Sequence, residues 1–271
     1  MKDLTKKSLL KKKPFFSIIT VVKNDEKNIS KTIKSIQKQN FKNFEYLVID
    51  GKSTDNTLKK ILNFKKIDVV ISEKDEGIYY AMNKGLKISK GNVILFVNSG
   101  DLITKNTLSI IYEKFKDPKI GFVFGTVRRH YIKDTILKYG FNLKKLNYNF
   151  DFATAHSTGF FLKKKFYNLI GNFDTKYQCS ADYDVYYKLF LKKKINGAST
   201  NKKQLIGIVS SGGFSSKFGF MNGLLEESKI RLNNGQSFFI VLIILCNNLI
   251  KKFFKITLNF YNAKEINQKN S

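Results

Sequence analysis

SEKDEGIYYAMNKGLKISKGNVILFVNSGD, residues 72–101, decides the fold. A charged turn containing Gly77 leads into a segment of helical length and spacing, 78–88, and then into the apolar run 93–97. That run empties into Asn98-Ser99-Gly100-Asp101. A strand buried on both faces reads as a continuous apolar run, as in a parallel sheet covered by helices. An acidic residue on a small-residue loop just past such a strand stands where α/β proteins hold a metal and a phosphate.

The same alternation extends upstream. Residues 16–22 form an apolar run of strand length, and Ile29, Ile33 and Ile36 follow at helical spacing behind Asp25 and Asn28. Tyr46–Ile49 is a second expected strand, and Leu58, Ile61 and Leu62 mark a helix after it; residues 69–71 form a third strand. Strand–helix alternation of this kind predicts an α/β protein with a mostly parallel, Rossmann-like central sheet and helices on both faces.

From about 127 to 220 the pattern is less regular, apart from an expected helix over 182–191. Composition shifts near Phe220. The stretch SFFIVLIILC, 237–246, is too short to span a bilayer and is interrupted by Asn247 and Asn248. With Lys251, Lys252 and Lys255 behind it, this C-terminal helical tail either lies in a membrane interface or packs on the domain. The expected organisation is a basic leader over 1–14, a main domain over 15–220 split near residue 126, and a helical segment over 221–271.

Composition narrows the function. With 42% hydrophobic residues, 25 Phe and 13 Tyr, the 271-residue chain can bury a full core. Cys179 and Cys246 stand alone, which argues against a disulfide framework and fits a reducing compartment. The N-terminus lacks the pattern of a secretory signal. The net charge of +28 attracts polyanions: nucleic acid, anionic lipid or phosphorylated substrates. An AT-rich coding bias toward Lys, Asn, Ile, Phe and Tyr accounts for the charge equally well. Arg, the better base reader, occurs only at 128, 129 and 231.

Each expected strand ends in polar residues: Lys23 to Glu26, Asp50 to Ser53, Ser72 to Asp75, and Asn98 to Asp101. In an open parallel sheet these ends share one rim, where ligands bind. No GxGxxG follows the first strand, so a dinucleotide fingerprint is missing. Gly51-Lys52-Ser53-Thr54 imitates the end of a phosphate-binding P-loop, but Tyr46 occupies the position of that motif's first glycine. What remains is carboxylates without His or Cys partners, a donor set suited to Mg²⁺ or Mn²⁺ with phosphate oxygens completing the shell.

The segments SIITVVKNDEKNISKTIKSI, YLVIDGKSTDNT, SEKDEGIYYAMNKG and VNSGD resemble, in this order, successive blocks of a family 2 glycosyltransferase of the GT-A fold. More narrowly, they are similar to bacterial enzymes that build colanic-acid, capsular or lipopolysaccharide sugars. ATAHSTGFF and CSADYDVYYKLFL resemble the acceptor-side blocks, and the likeness covers roughly residues 15–215. The resemblance implies an inverting transfer from a nucleotide-diphosphate sugar to a lipid-linked or growing polysaccharide acceptor, assisted by Mn²⁺ or Mg²⁺. It implies that Thr20, Val22 and Glu26 line the nucleoside pocket, that Asp50 contacts the base, and that Asp75 and Lys84 lie near the ribose or diphosphate. Asn98 and Ser99 belong to the same donor site, and Asp101 matches the metal-ligating carboxylate. Asp182 matches the general base, with Asp184 as the alternative. A solvent-facing Asp182 would be ionised at neutral pH without a large pKa shift.

Three positions depart from the family pattern. Gly100 stands where many relatives carry an Asp, Tyr80 replaces the Asp of GIYDAMNKG, and Met82 sits where other branches place an Arg, for which Lys84 compensates. His156 lines the acceptor or donor pocket or is a hydrogen-bonded structural group; His130, beside Arg128 and Arg129, reads as surface. Gly212-Gly213-Phe214-Ser215 is either a loop closing over the donor or a plain turn. The implied location is cytoplasmic, peripheral at the inner face of the cell membrane and in contact with anionic lipid, with no specific nucleic-acid partner. Two other readings stand beside it. A charge-driven protein binding nucleic acid or anionic membrane without catalysis lacks a recognisable module. A nucleotidyltransferase would show a Gly-rich, basic loop where VVKNDEKN stands.

Overall fold

A computed structural model describes residues 13–130, 134–142, 146, 156–211 and 218–269, with side chains as far as Phe254. Strand β1 (Phe16–Val22) is buried along its whole length and pairs in parallel with β2 (Phe44–Asp50), Phe16 facing Phe44 and Val22 facing Asp50. β3 (Val69–Ser72) adds in parallel to the far edge of β2, and β4 (Val93–Phe96) to the other side of β1. Between them run α1 (Ile29–Gln37), α2 (Thr57–Leu62) and α3 (Ile78–Ile88). The expected helix and strand of residues 78–97 are both present.

Side chains alternate across β1, as a strand requires. Ile19 and Val21 pack with Leu47, Ile49 and α3 on one face; Phe16, Ile18 and Val22 pack with Tyr46, Val48 and α1 on the other. α3 lies close against the sheet at Gly85, where a Cβ would meet Ile19 Cγ2 at 2.5 Å. Only glycine admits that approach.

After β4 come β5 (Leu102–Ile103), α4 (Thr107–Phe115), β6 (Phe122–Phe124), β7 (Thr126–His130) and β8 (Thr135–Lys138). β9 (Phe160–Lys163) inserts antiparallel between β4 and β6, and β10 (Gly197–Ser199) flanks β6. The main sheet therefore runs β10-β6-β9-β4-β1-β2-β3. A second sheet, β5-β11-β7-β8, contains β11 (Leu205–Val209) and returns the chain to Asp101. The region of weak periodicity thus holds short strands rather than loops.

α5 (Lys164–Ile170) follows β9, and α6 (Ala181–Tyr187) continues into one π-helical turn, 188–192. α7 (Phe220–Asn233) packs on α6, burying Ile230 in the same core as α3. α8 (Phe238–Lys269) carries buried Val241 and Ile244 on its α7-packed side, while Phe238, Phe239, Ile243, Phe253 and Phe254 are exposed.

Candidate active site

The four polar strand ends meet on one rim. Asn24 donates its backbone N–H to Ser53 Oγ (2.9 Å), and Ser72 Oγ donates to Asp50 Oδ2 (2.6 Å). Ser99 Oγ donates to Asp25 Oδ2 (2.6 Å). Each bond joins the end of one strand to the end of a neighbour, so the rim is a single cross-linked surface.

Within it, several expected contact residues are used internally. Thr20 is fully buried and accepts from Tyr46 Oη (3.0 Å). Asp50 is fully buried too and accepts from Ser53 N–H (3.1 Å), Ser53 Oγ (2.5 Å) and Ser72 Oγ. The P-loop-like GKST is therefore a turn wrapped around Asp50, with Lys52 at φ 57°, and its serine amide is already spent on a carboxylate. Glu26 accepts from Asn56 N–H (3.0 Å) at the start of α2, and those hydrogen bonds hold its carboxyl below the usual range. Val22 closes β1 as a buried side chain. Thr20, Asp50 and Glu26 thus shape the rim from beneath and beside it instead of projecting into it.

Asp75 and Asn98 do the opposite. Asp75 Oδ1 is 2.6 Å from Lys84 Nζ, which also reaches Glu73 Oε1 at 2.8 Å. Burial works against the lysine's charge, but the two carboxylates outweigh it and raise its pKa. Asp75 Oδ2 is buried with no hydrogen-bond partner among the described residues. Asn98 donates to Ser157 Oγ (3.2 Å), yet its Oδ1 is likewise buried and unpartnered. A buried polar atom without a partner costs about 1–3 kcal/mol, so these two oxygens leave the rim with acceptor positions that a ligand's donors could fill.

Asp101 follows the turn at Gly100, whose φ of +95° suits glycine. The residue is 5% exposed. Oδ2 accepts from Thr158 Oγ1 (2.6 Å), and Oδ1 accepts from Ser210 N–H (3.1 Å) just past β11. His156 Nδ1 lies 3.7 Å from Oδ2 and accepts from Thr158 N–H (3.3 Å). Burial pushes the His156 pKa down, with Asp101 opposing and Arg129 reinforcing, so the imidazole is neutral at pH 7. Among the described residues no group of three or more His, Cys, Asp or Glu gathers to hold a metal. A carboxylate has about four lone-pair sites, of which Asp101 has committed two. That fits a cation bound by one carboxylate and completed by substrate phosphates, with the neutral His156 beside it.

On the acceptor side Asp182 stands in the first turn of α6, half-buried. It accepts from Tyr79 Oη (3.3 Å) and from Tyr183 N–H (2.9 Å). Burial raises its pKa to about 6 against these hydrogen bonds, with Glu226 adding to the rise. This corrects the expectation of a solvent-facing, unshifted carboxyl: burial raises it, and the phenol of Tyr79, remote in sequence, bonds to it. Asp184 is buried, ion-paired to Lys188 (2.6 Å) and accepting from Asn234 Nδ2 (2.8 Å). Its carboxylate ties α6 to the end of α7 and faces away from the site.

His130 sits on β7 with its Nδ1 3.0 Å from Thr135 Oγ1 of β8, a sheet contact remote from the rim. The Gly212–Ser215 loop and residues 1–12 of the leader lie outside the described residues. Thr158, Ser210 and Tyr79 were not singled out from sequence. Thr158 stands two residues from His156 in a recognised block, so proximity could have flagged it; nothing local distinguishes Ser210.

A mostly parallel sheet interrupted by one antiparallel strand, with a strand-end carboxylate on its rim, is the architecture of the GT-A fold. The family profile described as "Glycosyl transferase family 2" matches residues 17–189, and the chain belongs to that family. Over 111 residues it is 36% identical to the UDP-Glc:alpha-D-GlcNAc-diphosphoundecaprenol beta-1,3-glucosyltransferase WfgD of Escherichia coli, covering 40% of this chain and 44% of that enzyme. Less than half of that relative's length is therefore matched. Among solved structures, S. aureus TarS 1-349 in complex with UDP-GlcNAc superposes with a TM-score of 0.64 at 20% identity, covering 86% of this chain and 71% of that one. The mannosyltransferase PcManGT from Pyrobaculum calidifontis, in complex with GDP-Man and Mn2+, gives 0.62 at 16% identity, covering 87% and 69%. At such identities these two show the fold.

Proposed function

We propose that the chain is an inverting, metal-assisted transferase that moves a sugar from a nucleotide diphosphate to a hydroxyl of a lipid-linked or growing cell-surface glycan. The observation that carries this is the cross-linked rim with buried, unpartnered oxygens on Asp75 and Asn98. A nucleotide's ribose hydroxyls or base N–H groups would satisfy those oxygens by donating to them, next to Lys84, which Asp75 and Glu73 hold in place. WfgD's named acceptor is a diphosphoundecaprenol-linked sugar, which supports a lipid-linked acceptor here.

In this reading Asp182 accepts the proton of the acceptor hydroxyl as its oxygen bonds to the anomeric carbon. The bond from that carbon to the β-phosphate oxygen breaks from the opposite face, and its electron pair leaves with the diphosphate. Asp182, with its pKa raised to about 6, is ionised at pH 7 yet more basic than a free carboxylate. Tyr79 holds it in place. Asp101 is the residue that would hold Mn²⁺ or Mg²⁺, which would supply positive charge for the departing diphosphate.

The apolar α8 supports peripheral contact with an anionic membrane at the cytoplasmic face. No described helix is long and apolar enough to cross a bilayer. Exposed Phe and Ile side chains lie on the same helix as Lys251 and Lys252, a pattern suited to an interface.

The test pairs two neighbouring substitutions. A thermal-shift panel of nucleotide sugars with Mn²⁺ selects the donor, since a ligand of the native state raises the melting temperature. With that donor, Asp182→Asn should keep the shift and lose transfer by 100-fold or more. Asp184→Asn should keep transfer but lose about 1–3 kcal/mol of stability with its buried ion pair. The reverse pattern would move the base to Asp184.

A further inference from the structure

α7 and the residue after it hold α6 and the loop before it at successive points, while Asp182 bonds elsewhere. Glu226 is buried, and its two oxygens accept three consecutive backbone N–H groups: Oε1 from Gln178 (2.5 Å), Oε2 from Cys179 (2.8 Å) and Ser180 (2.7 Å). Ser180 is the residue before α6 and makes no side-chain cap of its own. Orphan amides at a helix start are usually satisfied by the local Ser, Thr, Asp or Asn. Here a carboxylate from a helix 46 residues on supplies the cap. Further along α6, Arg231 Nη2 donates to Tyr183 Oη (2.7 Å) and Asn234 Nδ2 donates to Asp184. Asp182, between them, points instead to Tyr79 on α3.

We infer that Glu226 is a positioning residue for the transfer reaction, fixing the loop from which the helix bearing Asp182 starts. The inference rests on Asp182 being the base. Glu226 lies outside residues 17–189, the part of the chain that matches the family, so no family motif assigns it. α6 is only seven residues long before its π turn, and a helix that short takes its direction from what holds its ends. Displacing a catalytic group by about 1 Å can cost on the order of 100-fold in rate.

The carboxylate also acts through charge. Asp182 is faced by Tyr79 from α3, Tyr167 from α5, Cys179 from its own loop, Tyr186 from its own helix, and Glu226 and Glu227 from α7. Arg231 interacts with Glu227 and offsets part of that negative charge. Removing the Glu226 charge takes away one of the influences that favour a protonated Asp182, so the base should titrate lower.

The experiment compares full-length Glu226→Gln, Glu226→Asp and Asp182→Asn, using UDP-glucose, UDP-N-acetylglucosamine and GDP-mannose with Mn²⁺ as donor probes and nucleoside-diphosphate release as the readout. Glu226→Gln should lower kcat about 10- to 100-fold, leave the donor KM within about two-fold, and move the acidic limb of the pH profile downward. Hydrogen exchange at the amides of residues 178–180 should accelerate. Glu226→Asp, which keeps the charge but shortens the reach, should speed exchange without moving the acidic limb, and it serves if the Gln variant does not fold. A Glu226→Gln protein that melts earlier but keeps kcat and the pH limb would reduce Glu226 to a structural cap and overturn the inference. Undiminished turnover in Asp182→Asn would instead remove the base assignment, and the exchange data would still report on the loop.

Discussion

The phenol of Tyr79 reaches Asp182 across 103 residues of sequence and 3.3 Å of space. Tyr79 is in the first turn of α3, directly after the loop that carries Asp75, and its ring stacks on Phe173 with centroids 5.4 Å apart. One hydrogen bond therefore joins α3, next to the rim, to α6, the helix that bears Asp182. In the proposed reading, donor and acceptor sides are mechanically linked at that point.

The bond has a pH signature. Burial raises the Asp182 pKa to about 6, and the Tyr79 hydrogen bond lowers it from where burial alone would put it. Activity should rise with pH through a limb centred near 6, as the base ionises. Stability runs the other way: the fold favours the protonated form, so this contribution is full below about pH 4 and is lost as pH rises through 6. Tyr79→Phe should shift the activity limb upward and lower turnover at pH 6 more than at pH 8. An unmoved limb in that variant's kcat profile would show that Asp182 does not set it.

At the other carboxylate, Asp101→Asn keeps a side chain of the same shape and removes the charge. The variant should fold, since an amide oxygen can still accept from Thr158 or from Ser210 N–H, and should lose the Mn²⁺-dependent part of the thermal shift given by a nucleoside diphosphate. Any metal-independent part should remain. Equal metal-dependent shifts in the variant and the parent would place the cation elsewhere.

The membrane reading is tested on α8. Phe239 is 74% and Ile243 68% exposed, and burying each in an interface is worth about 2 kcal/mol. Phe239→Ser with Ile243→Ser should weaken sedimentation with phosphatidylglycerol vesicles by 100-fold or more while leaving the melting temperature nearly unchanged. Binding of the parent should fall with added salt and with phosphatidylcholine in place of the anionic lipid. Parent-like sedimentation of the double variant would show that α8 faces a protein or solvent instead.

The parallel half of the sheet was legible because β1, β2, β3 and β4 are long or wholly apolar runs, each ending in a polar cluster. Burial on both faces leaves no ambiguity of period there. β10, Gly197-Ala198-Ser199, has no apolar signal at all, and β7 ends in Arg128, Arg129 and His130 because that end is open to solvent. Both strands exist through pairing with distant partners, which composition does not record. The site divides the same way. Asp75, Lys84, Asn98, Asp101 and Asp182 are prominent within their motifs, whereas the phenol bonded to Asp182 comes from Tyr79, 103 residues away, and the occupation of Asp50 from Ser53 and Ser72. Residue type was readable; the surroundings that set its chemistry were not.

The buried Arg231 carries a practical consequence for dissecting this enzyme. Its guanidinium donates to the carbonyl of Leu146, to the phenols of Tyr183 and Tyr187 and to Gln236. A truncation ending at residue 220, where apolar tail composition begins, would delete this side chain together with Glu226 and Asn234. Three amides, two phenols and one aspartate would each lose a partner at once, all on α6 or the loop before it, although Asp184 would keep Lys188 and Tyr187 would keep the Leu146 carbonyl. A protein shortened in this way should lose order at α6 as well as losing α8, so its inactivity would not by itself report the loss of a membrane contact.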